Sequence, residues 1–149
     1  MPLPTSLASL LLDQYLWSIW ALLLIAATAS LQHLVAMVAH RKQSQYIPGI
    51  VSEELGHDSF VFRSNRTFLN TLENLPLMVG PAVIALLVGM DAQWLAGLLW
   101  VFAIARIVHM ALYYAIATEA NPSPRSHFFA IGLLSNLTLL VMLALHIAG

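Results

Sequence analysis

Four long apolar runs alternate with short polar stretches along the chain. The first runs from about Tyr15 to Ala39, interrupted only by Gln32 and His33, and "HRKQ" at 40–43 ends it. The second runs from about Arg66 to Met90 and contains Pro76 and Pro81. Helices in lipid tolerate such prolines when neighbours satisfy the freed carbonyls. The third runs from Trp94 to about Ala117, after a tight turn at "MDAQ" (90–93). The fourth runs from about Ser126 to Ile147, after "TEANPSPR" (118–125), whose two prolines forbid a continuous helix. Each run reaches the ~20 apolar residues needed to cross a hydrocarbon core. The pattern predicts an all-α integral membrane protein: one domain over residues 1–149, folded as a four-transmembrane-helix bundle.

Composition agrees and removes several function classes. The chain is 60% hydrophobic, against about 45–50% for a soluble domain. A net charge of −1 offers no nucleic-acid footprint. There is no cysteine, which excludes disulfides, a protein thiol nucleophile and thiolate metal sites. Any thiol chemistry must therefore bring its thiol on a ligand. The six histidines show no HExxH or comparable spacing, so no metal site is expected. The N-terminus has no basic n-region, and no small-residue cleavage site follows a short apolar core. The first run is expected to remain as a span rather than act as a cleaved leader.

The basic residues predict the orientation. Arg41, Lys42, Arg63 and Arg66 lie in or beside the first loop, Arg125 lies in the third, and the second connection carries only Asp91. By the positive-inside rule, the first and third loops are cytoplasmic and both termini lie outside. Trp17, Trp20, Trp94 and Trp100 fit belt or lipid-facing positions. Gly80, Gly89 and Gly97 fit close helix contacts. "NRT" at 65–67 matches a glycosylation pattern that a cytoplasmic position would silence. Glu53, Glu54 and Asp58 form a solvated loop face.

The remaining basic residue, Arg106, sits about halfway along the third span. It opens a stripe: Arg106, His109 and Tyr113 follow i, i+3, i+7, within about 60° of one helix face. On the second span Arg63, Arg66, Asn70 and Glu73 follow i, i+3, i+7, i+10, within about 80°. At ~1.5 Å per residue, Glu73 lies roughly 10 Å inward from Arg66, and Tyr113, His109 and Arg106 lie about 6, 12 and 16 Å deep. Both stripes thus occupy the cytoplasmic half, with Glu73 near His109 and in reach of Arg106. An unpaired charge at that depth costs at least about 2.5–3.5 kcal/mol. A Glu73–Arg106 ion pair facing the bundle interior is expected, extended by Asn70 and His109. Singly, each group has a plain role: helix glue for the ion pair, an interhelical bond for Asn70, a core histidine, an interfacial tyrosine. Together, two helices donating at least five polar groups form a cleft for a small polar, anionic ligand.

The motifs resemble those of the MAPEG superfamily, the membrane-associated proteins in eicosanoid and glutathione metabolism. "RTFLNTLENLP" (66–76) is similar to the family's second-helix signature, "RIVHMALY" (106–113) to its third-helix signature, and "PRS" (124–126) to the start of its fourth helix. The resemblance covers all four spans in order and length. It implies a homotrimer with active sites between protomers, toward the cytoplasm, as in microsomal glutathione transferases, leukotriene C synthase and prostaglandin E synthase. It further implies that Arg66, Asn70, Glu73, Arg106, His109 and Tyr113 hold or shape a glutathione pocket. Arg125 would be the catalytic, thiolate-stabilising arginine, with Ser126 as its neighbour. Arg41 would match a basic residue that several members use. The implied activity is a glutathione transferase, or peroxidase, acting on lipophilic electrophiles or hydroperoxides reached from the membrane lipid.

This chemistry suits the residues. Arginine forks pair carboxylates bidentately. A guanidinium beside sulfur favours the thiolate. Two features depart from the family. Phe129 stands where some members have a tyrosine, and Tyr113 to Arg125 spans 12 residues, longer than in the mammalian members. The longer loop could shift Arg125. These departures keep open a second reading, a non-catalytic lipid-binding or scaffold protein. A small transporter using Glu73 and Arg106 as a coupling pair is a third.

Overall fold

The computed structural model describes residues 7–149. Four helices make up the fold: α1 (Leu7–Arg41), α2 (Phe60–Leu87), α3 (Ala92–Ala115) and α4 (Pro124–Ala148). All four are long and apolar enough to cross a membrane. The expected spans thus correspond one-to-one with helices. The expectation that no leader is present lies partly on residues 1–6, outside the described residues.

The helices overrun the apolar runs at one end. α2 begins six residues before Arg66, because hydropathy marks the limits of lipid and not of backbone hydrogen bonding. At ~1.5 Å per residue its 28 residues span about 42 Å, against a core of about 30 Å. Arg63 anchors the polar first turn by donating to the carbonyls of His57 (2.6 Å) and Asp58 (2.9 Å). α1 is kinked at Tyr15, where the backbone leaves helical geometry. The Tyr15 hydroxyl, fully buried, donates to the Met90 carbonyl at 2.7 Å. That bond ties α1 to the α2–α3 turn. Asp91 caps α3 by accepting from the backbone N–H groups of Gln93 and Trp94, both at 3.0 Å. Gly89 completes the turn at φ +72°, a region open to glycine.

Packing is centred on α3, which touches every other helix, whereas α1 and α4 do not pack on each other. The core gathers Ala21 and Ile25 of α1, Met78 and Ala82 of α2, Leu95, Leu99 and Phe102 of α3, and Leu139 of α4. Ser135 of α4 donates to the Leu98 carbonyl of α3 at 2.7 Å. Trp17, Trp20 and Trp94 are exposed, in line with lipid-facing positions. Trp100 donates from its indole nitrogen to the Trp17 carbonyl at 3.1 Å, linking α1 and α3 at that level.

The glycine expectation needs correction. A Cβ placed at Gly80, Gly89 or Gly97 would meet nothing within 4 Å. The close approach is instead at Gly132 of α4, where a Cβ would lie 3.7 Å from Phe102, 3.8 Å from Arg106 Cδ and 3.9 Å from Ala105. These are ordinary contacts for a methyl group but leave no room beyond it. Gly132→Ala is expected to keep the unfolding free energy in detergent within about 0.5 kcal/mol of wild type, leaving the thermal midpoint nearly unchanged. Gly132→Leu should destabilise by about 1–3 kcal/mol through overpacking. Equal midpoints for the two variants would contradict this packing.

Candidate functional site

The inward face of α2 is set by Ser64, Thr67, Thr71, Met78, Ala82 and Ala85, all buried. The charged stripe lies about 110° around the helix from that face. It therefore divides. Arg63 turns to the first loop, and Asn70 turns to α3. Arg66 and Glu73 stay on the surface, where they pair with each other at 3.2 Å with side chains 44% and 55% exposed. The expected Glu73–Arg106 ion pair is not formed. Glu73 sits too far around α2, and its nearest cation is Arg66, two helical turns away on the same face.

Arg106 finds neutral partners instead. Its Nη2 donates to Asn70 Oδ1 at 2.8 Å and to Thr71 Oγ1 at 2.9 Å. It is 3% exposed, and its Nε has no acceptor. One turn on, His109 is 4% exposed and its Nδ1 is unpartnered. Its ring lies 5.4 Å from Tyr113 and 6.5 Å from Phe129. Another turn on, Tyr113 lies under the Arg125 guanidinium, whose Cζ is 4.1 Å from the ring centroid. That is within cation–π range. The 12-residue spacing therefore does not separate Arg125 from the α3 stripe.

Arg125 stands in the first turn of α4. That turn starts at Pro124 and is closed by a capping box: Ser126 Oγ accepts from the Ser123 backbone at 3.1 Å. The Ser126 hydroxyl is thus engaged in helix capping. Arg125 Nη2 donates to the Thr118 carbonyl (2.9 Å) and lies 3.3 Å from His57 Nε2. Nη1 is buried with no partner. His57 comes from the first loop, held by its backbone N–H to Glu119 Oε1 at 3.1 Å. Burial and the nearby Arg125 guanidinium push the His57 pKa below its ordinary value, with Arg63 acting in the same sense and Glu119 opposing.

A continuous polar column thus runs from Asn70 and Arg106 through His109 and Tyr113 to Arg125. Arg41 is not part of it. It lines a groove of about 540 Å³ between α1 and α2, with His33, His40, Tyr46, Asn65 and Phe68. Thr71, Thr118, His57 and Glu119 join the column unannounced by the stripes. Thr71 belongs to the uncharged series Ser64, Thr67 and Thr71 (i, i+3, i+7) on the buried face, a signal that the charged stripe masked, and the other three lie in loops, where helical spacing says nothing. Among the described residues neither Arg106 nor Arg125 has a carboxylate within ion-pair distance. A buried guanidinium, Arg106, and a half-buried one, Arg125, thus lie between α3 and α4 without a counter-charge. Their unfilled donors, Arg125 Nη1 and Arg106 Nε, match an anionic ligand.

The two ion-pair assignments can be separated by stability. Glu73→Gln should change the unfolding free energy in detergent by no more than about 1 kcal/mol, as for an exposed pair. Arg106→Ala should cost more, about 2–4 kcal/mol, because Asn70 and Thr71 lose a charged donor and a cavity opens at Gly132. A larger loss in Glu73→Gln than in Arg106→Ala would reverse the assignment.

Comparison with curated proteins and comparison with solved structures each give no match. The model of the MAPEG family matches residues 17–145, nearly the whole chain. With four helices able to span a bilayer and a family match of this extent, the chain is a multi-pass integral membrane protein that belongs to the MAPEG family.

Proposed function

We propose that the protein binds glutathione and stabilises its thiolate for transfer to, or reduction of, a lipophilic substrate. The observation that carries this reading is Arg125: a half-buried guanidinium over the Tyr113 ring, without a carboxylate partner, and with Nη1 buried and unfilled. In such a setting a positive charge favours an adjacent anion far more than it would in water. When bound, glutathione supplies the sulfur nucleophile that this cysteine-free chain lacks. Arg125 would hold the charge at sulfur. Arg106 is fixed by Asn70 and Thr71, and its buried Nε has no acceptor; as the ligand binds, a carboxylate would fill it.

Arg66, Glu73 and Arg41 are exposed on the single protomer, outside the column. A homotrimer would give them a role, since neighbouring copies could bring these groups to the column's open side. The apolar outer faces of the helices offer the lipophilic substrate a route from the membrane. The basic residues of the first and third loops support a cytoplasmic orientation for them, which would put the column on the side where a water-soluble thiol is present. Phe129 beside His109 contributes no hydroxyl, so the thiolate would depend on Arg125 alone.

Purified protein titrated with glutathione should develop thiolate absorbance, and calorimetry should register binding. Arg125→Ala should lose the thiolate signal and about 10²–10³ in kcat with a chloronitrobenzene-type acceptor, while retaining much of the binding. Absence of both binding and thiolate in the wild type would sink the proposal. Binding without turnover, indifferent to Arg125, would favour a non-catalytic lipid-binding or scaffold protein.

A further inference from the structure

His57 lies in the first loop, outside every helical stripe, yet it is the side chain that covers Arg125. Its Nε2 is 3.3 Å from Arg125 Nη2 and 3.7 Å from Glu119 Oε2, so one ring atom stands between a cation and an anion. Arginine has five donors and no acceptor. Nε2 must therefore present its lone pair to Arg125, and the imidazole is neutral with its proton on Nδ1. That tautomer leaves Nδ1–H a buried donor without a partner. Free imidazole side chains favour the opposite tautomer, so the contact with Arg125 selects the less common one.

We propose that His57 is a positioning residue for Arg125, and that protonation of its imidazole transfers Nε2 from Arg125 to Glu119 and frees the guanidinium. Its bearing on catalysis rests on Arg125 being the thiolate-facing group. Neutral His57 and the Thr118 carbonyl together fix Nη2, which leaves Nη1 as the buried donor without a partner. Protonated His57 carries no lone pair and repels the guanidinium, while Glu119 gains a charged donor. The other groups facing His57 are known. The Tyr113 ring of α3 lies tilted with its centroid 5.7 Å away, and that of Phe62 of α2 lies edge-on at 4.9 Å. Arg63 of α2 bonds the His57 carbonyl, and the neighbouring Asp58 accepts from Ser59. Arg63 and Arg125 resist the proton and Glu119 favours it. The neutral form accordingly persists at neutral pH and gives way as the pH falls through a value below about 6.5.

The test uses the full chain in detergent micelles. Nitrogen-15 NMR of the His57 ring should show the Nδ1–H tautomer at neutral pH, converting to imidazolium below pH ~6.5. Glu119→Gln should move that conversion to lower pH. With glutathione present, His57→Ala should reduce thiolate absorbance about three- to tenfold, the fold-change of one lost hydrogen bond. His57→Gln, whose amide oxygen can accept from Arg125 but cannot be protonated, should restore most of it and remove the acid-side loss attributed to His57. An Nε2–H tautomer in the wild type at neutral pH would overturn the contact. Thiolate unchanged in His57→Ala but lost in Arg125→Ala would overturn the positioning role. If the wild type forms no thiolate, the glutathione reading falls, and the tautomer with its response to Glu119→Gln decides the His57–Arg125–Glu119 exchange alone.

Discussion

A guanidinium cannot shed its charge in a folded protein, so a buried arginine dictates terms to whatever surrounds it. Arg106, on α3, sits inside the bundle with α2 and α4 against it. α2 must turn Asn70 and Thr71 toward it to supply acceptors. α4 must present Gly132 beside its side-chain stem, because a longer side chain there would meet Phe102, Ala105 and Arg106. α3, which lies against both α2 and α4, is the helix from which one side chain reaches both. The rotation of α2 and the closeness of α4 both follow from that demand.

The solution at Arg106 is unusual in using neutral acceptors. A buried ion pair would have cancelled the charge locally. Asn70 and Thr71 solvate it without cancelling it, and the same holds at Arg125, where a carbonyl, an imidazole and an aromatic face stand in for a carboxylate. The available acids are placed elsewhere: Glu73 on the surface with Arg66, and Glu119 on the His57 side of the loop. The column thus retains net positive charge in a region of low dielectric. That is the electrostatic basis for reading it as an anion site.

The two loops at this end act as one unit. Glu119 of the third loop holds the backbone of His57 in the first, and Arg63 of α2 fastens the same segment from below. The loop that lengthens the Tyr113–Arg125 spacing therefore supplies the residue that docks the first loop over Arg125. A feature that looks like a departure from the family pattern becomes part of how this chain covers its arginine.

The four helices and their order were legible in the sequence, because lipid imposes a length and an apolar composition that one dimension records directly. Spacing also correctly joined Arg106, His109 and Tyr113, since residues on one helix face stay together however that helix is turned. The rotation of one helix against another has no such signature. A stripe of Arg66, Asn70 and Glu73 looks the same whether it faces inward or sideways, and a turn of about 110° moved Glu73 away from Arg106 and put Thr71 in its place. The loops were equally silent. His57 and Glu119 meet across 62 residues through backbone and side-chain bonds that follow no period. The chain alone determined which groups belong to the membrane interior. Only the tertiary packing decided which of them touch, because small residues such as Gly132 and Thr71 set the helix rotations, and their effect exists only once the helices are together.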